Sequence, residues 1–321
     1  MSTRHLRALL CPLAAALLTL SACAGPADDT PSGSSGSGSS SSSASPVPDV
    51  ITAKAPPKPT GDGLRPAPDD AFEDQPAAYD DGCQNSEGTE VLTCTYGADD
   101  ADVTLALVGD SKALQWISAL DEIGTDRGWQ VVTMTKSTCT WADAYVSSDQ
   151  RPNTECWSWG QKAKDEVLDL DPDLVVTSFG HNMAAPDDSS TEFSRTGLVD
   201  GLVSLWEEIG EADIPVAALS DTPHAVETVP ECVADHREDT DACILEDSEG
   251  LGTPAMREAV KKVPTATLVD LTDVVCPDET CRPVFGDVLV QRDGSHLTDT
   301  FVREVAPALD TPLATIVDAA T

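Results

Sequence analysis

Three short stretches of this chain hold residue types that could carry acyl-transfer chemistry. Gly109-Asp110-Ser111-Lys112 places a serine directly after an apolar run. At a strand-to-helix turn such a serine exposes its Oγ. Its backbone N–H then sits at a helix N-terminus, where free N–H groups and the helix dipole favour developing negative charge. Capping of that helix by Asp110 or Ser111 is the plainer role for the same residues. A neutral hydroxyl is a weak nucleophile and needs a base. Asp293-Gly294-Ser295-His296 offers one: the carboxylate, three residues before the imidazole, can orient it to take the serine proton. Ser178-Phe179-Gly180-His181-Asn182 adds a side-chain amide able to donate to an oxyanion, with Gly180 permitting close backbone approach.

Elements of alternating period must bring these stretches together. Residues 103–108 and 129–134 read as buried strands, as do 173–178, 215–219 and 266–271. Between them, 112–123, 157–170 and 197–209 show helical spacing. A further helix starts at Thr253-Pro254, and residues from Leu297 to about Ala319 close the chain as helix. This alternation predicts an α/β fold with a parallel sheet and helices on both faces. Ligands of such sheets bind beyond the carboxyl ends of the strands. Ser111 and Asn182 follow two of those ends, and His296 stands just before the closing helix.

The start of the chain reads as export machinery. Arg4 and Arg7 precede an apolar run from Ala8 to Leu20, and Leu20-Ser21-Ala22-Cys23 has the pattern of a lipoprotein cleavage site. Residues 1–22 are thus expected to be a signal peptide. Cys23 would be the lipidated residue, holding the protein outside a bacterial cell membrane. Residues 23–75, rich in Ser, Gly and Pro, are expected to form a disordered tether, and 76–321 one folded domain.

The formal charge of −37 argues against nucleic acid as partner, which needs a basic footprint. Of ten cysteines, Cys11 and Cys23 belong to the leader and anchor. The other eight suit an oxidising compartment. Sequence neighbours give the simplest pairing: Cys83–Cys94, Cys139–Cys156, Cys232–Cys243 and Cys276–Cys281. Zinc is the alternative, but no C-x-x-C or H-E-x-x-H spacing appears. Neither a metal nor an organic cofactor is expected.

Taken in order, Gly109-Asp110-Ser111, Gly180-His181-Asn182 and Asp293-Gly294-Ser295-His296 resemble blocks I, III and V of the SGNH (GDSL-like) hydrolase superfamily. The likeness is nearest to the extracytoplasmic SGNH domains fused to bacterial membrane O-acyltransferases of the acyltransferase-3 type, which modify surface glycans. Gln115-Trp116, Thr135-Lys136-Ser137-Thr138-Cys139 and Pro172-Asp173-Leu174-Val175-Val176 carry that closer likeness, over roughly residues 80–312. It implies a flavodoxin-like three-layer α/β/α sandwich around a five-stranded parallel sheet. It further implies Ser111 as nucleophile, His296 as general base and acid, and Asp293 as the orienting residue. Oxyanion donors would come from Ser111, from a backbone N–H after the second strand, and from the Gly180 and Asn182 block.

Two positions depart from the branch. Lys112 stands where it usually has histidine, and Thr138 where it commonly has glycine. Lys112 reads as a solvated first-turn residue, with tuning of the site or binding of an anionic substrate as the other role. Trp141, Trp157 and Trp159 either stack on sugars or pack on the core. His181, His224 and His236 read as bystanders, and Ser220-Asp221-Thr222-Pro223 as a turn.

The expected activity is that of a serine esterase or O-acyltransferase moving acetyl or a similar group on a cell-envelope polysaccharide or glycolipid. An integral membrane acyltransferase could supply the acyl donor. A non-catalytic glycan-binding or accessory module on the same fold is the competing expectation.

Overall fold

The computed structural model describes residues 47–225 and 228–320. Its main sheet has eight strands: β1 (Val50–Thr52), β2 (Gln84–Asn85), β3 (Thr93–Gly97), β4 (Val103–Gly109), β5 (Trp129–Lys136), β6 (Leu174–Ser178), β7 (Val216–Leu219) and β8 (Ala266–Asp270). The order across the sheet is β1-β8-β7-β6-β4-β5-β2, all parallel, with β3 antiparallel on β5. The five expected strands are its centre. Three short strands, two of them at the β5 edge and one beyond β8, widen it.

Each central strand alternates its side chains between two cores. Leu105 and Leu107 of β4 enter one, Ala106 and Val108 the other. The first core is roofed by α1 (Ser111–Leu114), α2 (Ile117–Arg127) and, later in the chain, α7 (Thr272–Val275), α8 (Asp299–Glu304) and α9 (Ala306–Ala320). The second is roofed by α3 (Thr154–Leu170), α4 (Arg195–Gly210) and α6 (Thr253–Ala259), while α5 (Val229–Asp235) belongs to a small third cluster. This is the three-layer α/β/α sandwich. Among the described residues no helix is long and apolar enough to cross a membrane.

Two expected helices are broken. The one over 112–123 divides at Gln115-Trp116, where Gln115 Nε2 donates to the Lys112 carbonyl and Gln115 Oε1 accepts from the Leu297 N–H at 3.1 Å. The closing helix divides at Val305 into α8 and α9. The helix expected over 157–170 begins earlier, at Thr154, because Asn153 caps it through the Cys156 N–H.

The expected tether ends too late. Residues 47–75 belong to the fold: β1 pairs with β8 from Val50 to Thr52, the Leu289 N–H donates to the Arg65 carbonyl, and Ala71 is fully buried. Arg65 Nε lies 2.7 Å from Asp287 Oδ2, and the Asp74 carboxylate accepts from the Thr300 N–H. A Pro-rich stretch has little apolar surface of its own, yet its backbone groups find partners along an edge and loops supplied by the far end of the chain. Residues 1–46, with the leader, Cys23 and the rest of the tether, lie outside the described residues.

Disulfides join the four neighbouring pairs Cys83–Cys94, Cys139–Cys156, Cys232–Cys243 and Cys276–Cys281.

Candidate active site

The turn after β4 sets the geometry. Gly109 has φ +151°, and a Cβ there would lie 2.5 Å from the Ser178 carbonyl oxygen, so only glycine lets β4 pass β6 this closely. Asp110 then caps α1: its carboxylate accepts from the Lys112 N–H at 2.8 Å and the Gly180 N–H at 3.2 Å. Burial drives the Asp110 carboxyl upward to about 7, against the pull of those two N–H groups. Ser111 follows as the first residue of α1, where its N–H has no intrahelical acceptor.

From the far end of the chain, His296 reaches this serine. Its Nε2 lies 2.8 Å from Ser111 Oγ, and its Nδ1 lies 2.8 Å from Asp293 Oδ2. A neutral imidazole with its proton on Nδ1, donated to Asp293, leaves the Nε2 lone pair for the Ser111 hydroxyl. Asp293 Oδ1 accepts from the Ser295 and His296 N–H groups at 2.6 and 2.7 Å. Burial pushes the Asp293 carboxyl up, but the hydrogen bonds and charge of His296 prevail and hold it well below the usual carboxylate range.

The loop that carries both residues is tied on several sides. The Arg292 N–H donates to the His296 carbonyl, the Ala225 N–H to the Gly294 carbonyl, and the Leu297 N–H to Gln115. The Arg292 guanidinium lies over the rings of Phe72 and Tyr79, from the lead segment that sequence reading placed partly in the tether.

Around the serine, the expected oxyanion donors are placed unequally. Asn182 is half-buried just beyond β6 and makes no hydrogen bond to another described residue. The Gly180 N–H, by contrast, is committed to Asp110, so it is not free for an oxyanion. A Cβ at Gly180 would meet only ordinary contacts, so close backbone approach does not require glycine there. After β5, the Ser137 N–H donates to the Asn85 carbonyl. Thr138 has φ +58°, the left-handed conformation that glycine adopts without strain and a β-branched residue does not. Thr138 thus holds a backbone shape suited to glycine.

Lys112 corrects the sequence reading. It is not solvated but 3 % exposed, and its ammonium is paired with the buried Asp221 carboxylate at 3.2 Å. Ser220-Asp221-Thr222-Pro223 is accordingly more than a turn. His224 shares the Asp-x-x-His spacing of His296, yet its Nε2 stands 3.9 Å from Asp221 Oδ2, whose carboxylate already serves Lys112 and the Gly252 N–H. Burial first, then the neighbouring Lys112 charge, lowers the His224 pKa below that of a free histidine. The repeated spacing was the signal in the sequence that His224 belongs near the site. It also lines a cavity of about 330 Å³ with Ala225, Val229, Ile244, Leu245 and Asp247.

The tryptophans are mainly structural. Trp141 and Trp159 are fully buried, and Trp157 stacks on Tyr145 while its Nε1 donates to Asp143. His181 Nδ1 meets Thr140 Oγ1 at 3.1 Å, and burial lowers its pKa. His236 lies against Cys232 and Cys243, but their sulfurs are joined to each other and offer no thiolate to a metal.

A family model described as the SGNH domain (fused to AT3 domains) matches residues 80–311. Among solved structures, the periplasmic domain of a lipopolysaccharide acetyltransferase from Salmonella ser. Paratyphi A is 13 % identical. It aligns over 74 % of this chain and 88 % of its own, at a TM-score of 0.51. A putative acylhydrolase from Bacteroides fragilis is also 13 % identical, over 69 % and 91 % of the two chains, at a TM-score of 0.43. A GDSL-like lipase from Bacteroides thetaiotaomicron is 15 % identical, over 66 % and 87 %, at a TM-score of 0.40. No curated protein matches. On the match over residues 80–311, the chain belongs to the SGNH domain family, of the kind fused to AT3 domains.

Proposed function

We propose that this chain is a serine-dependent esterase or O-acyltransferase that works on acyl esters, foremost acetyl, of cell-envelope glycans. The observation that carries the reading is the 2.8 Å approach of His296 Nε2 to Ser111 Oγ, with Asp293 on the other ring nitrogen. As Ser111 Oγ attacks the acyl carbonyl, His296 Nε2 takes its proton, and Asp293 stabilises the imidazolium. The tetrahedral oxyanion faces the Ser111 N–H and the Asn182 amide. Collapse breaks the ester C–O bond, and the leaving alcohol takes the proton from His296. Water or a sugar hydroxyl then gives a proton to His296 and attacks the acyl-serine, releasing acid or a new ester. The proton returns to Ser111.

A glycan substrate and an acetyl group are supported by the family and by the fold shared with a lipopolysaccharide acetyltransferase domain. Export, attachment to the membrane through Cys23 and supply of acyl groups by an integral membrane acyltransferase complete the proposal. The four disulfides support an extracytoplasmic setting. The alternative of a non-catalytic binding module rests on the two departures at Lys112 and Thr138, and Lys112 is buried and paired with Asp221 while His296 still reaches Ser111.

The test is hydrolysis of p-nitrophenyl acetate, with covalent labelling by a fluorophosphonate probe, by the full-length chain and its Ser111→Ala form. Both signals are expected in the wild type and absent in the variant. Folded wild-type protein that neither hydrolyses nor labels sinks the proposal.

A further inference from the structure

Lys112 is the one charged residue of α1, and its surroundings are built around its ammonium. Nζ lies 2.8 Å from Thr222 Oγ1, 2.5 Å from the Ser295 carbonyl oxygen, 3.2 Å from Asp221 Oδ1 and 3.4 Å from the Thr222 carbonyl oxygen. Thr222 Oγ1 itself donates to the same Ser295 carbonyl at 2.9 Å. The Asp221 side chain is 0 % exposed and is held in turn by the Thr222 and Gly252 N–H groups. One ammonium therefore joins three parts of the fold: the helix that begins at Ser111, the segment after β7, and the residue next to His296.

A buried ion pair is in general a poor stabiliser, since an apolar pair of the same shape often serves as well. An apolar pair could not, however, hold a backbone carbonyl. Ser295 directly precedes His296, the serine's base, and its carbonyl belongs to the peptide plane that leads into His296. Displacement of a reacting group by about 1 Å can cost roughly 100-fold in rate.

We propose that Lys112 is a positioning residue: anchored by Asp221, its ammonium holds the Ser295 carbonyl and thereby keeps the His296 imidazole within hydrogen-bond reach of Ser111 Oγ. The inference rests on the Ser111–His296 reading of function. It assigns to the position that departs from the branch pattern a role in the histidine loop rather than in substrate binding.

Lys112→Met alone would leave Asp221 as an unpaired buried charge, so loss of activity in that variant would be ambiguous. The informative variant is the full-length Lys112→Met/Asp221→Asn protein, in which both charges are gone. Expected are a melting temperature near that of the wild type, kcat for p-nitrophenyl acetate down about 10- to 100-fold, and KM within about twofold. In ¹⁵N-histidine-labelled protein, the downfield Nδ1–H signal of His296 should broaden or vanish. A double variant with wild-type kcat and an unchanged His296 signal overturns the proposal, because Lys112 would then serve only as partner to Asp221. Thr222→Val provides a second route if the double variant does not fold. It removes one bond to the Ser295 carbonyl and one to the Lys112 ammonium while leaving both charges in place, and is expected to lower kcat about 3- to 10-fold at constant KM; no change in kcat or in the signal again overturns the idea. Should the wild type lack Ser111-dependent hydrolysis, the proposed function fails, while the His296 signal in these variants still decides the positioning claim.

Discussion

Two carboxyls of the site are driven in opposite directions by what surrounds them. Asp293 is partly buried but shares its oxygens with His296 and two N–H groups, so its ionised form is favoured. Asp293→Asn would keep the shape but could stabilise the wrong imidazole tautomer. The expected loss in kcat for p-nitrophenyl acetate is about 10⁴-fold, with the melting temperature nearly unchanged. Asp110 is fully buried and faces only two N–H donors, which do not offset its desolvation. Its folded pKa of about 7 lies above its unfolded value, so the folded state holds the extra proton between about pH 4 and pH 7. The stability this proton contributes is complete below pH 4 and lost as pH rises through 7, at up to about 1.4 kcal/mol per unit. His181 and His224, whose pKa values are lowered, act in the other direction as pH approaches 6.5. The measurement is therefore a difference: urea unfolding of wild type and Asp110→Asn at pH 4.5, 6 and 7.5. The variant should gain on the wild type as pH rises, and a constant gap would contradict the assignment. At this scale Ser111, Asp293, His296 and Asn182 stood out in the sequence through residue type and spacing. Lys112 stood out only as a departure from the branch pattern; its buried role was not legible, because its partners Asp221, Thr222 and Ser295 are remote in sequence and burial is decided by what folds over a residue.

The elements that carry the site were legible where their pattern was strong. The five central strands are near-continuous apolar runs, which a parallel sheet covered on both faces favours. The breaks in the helices were not, since Gln115 interrupts one only by bonding to Leu297, far along the chain. The clearest miss is β1 with the segment that follows it. Its three residues form a strand only because β8 offers them an edge. That segment also carries Phe72, which lies under the Arg292 guanidinium beside Asp293. A chain starting at residue 76 would lose β1, Arg65, Ala71, Phe72 and Asp74 together. It should unfold in urea with a stability lower by on the order of 3 kcal/mol or more, and its β8 edge should promote association. A truncated chain as stable and as monomeric as one starting at residue 44 would show that the lead segment is only draped on the fold.

For the whole molecule, charge and crosslinks set the behaviour. A formal charge of −37 means that the compact state works against its own repulsion. Raising ionic strength from about 0.01 to 0.15 M shortens the screening length from about 30 to about 8 Å. The melting temperature should rise by about 2–5 °C over that range. A fall would mean that ion pairs such as Arg65–Asp287 and Arg303–Asp299 outweigh the general repulsion. The disulfides close short loops, joining cysteines 5 to 17 residues apart. Two of them, Cys139–Cys156 and Cys232–Cys243, brace the long crossovers after β5 and β7 that surround the site.

Local pattern was enough to specify the α/β class, the order of its central elements and the residues fit for acyl chemistry. Those properties depend on neighbours within a turn of helix or a few residues of strand. It could not show that residues 47–75 belong to the fold, that Asp221 is claimed by Lys112 rather than His224, or that the Gly180 N–H is already bonded to Asp110. Each of these depends on a polar group finding its partner across the sheet. Which donor meets which acceptor there follows from how the chain closes on itself, and no window of sequence contains it.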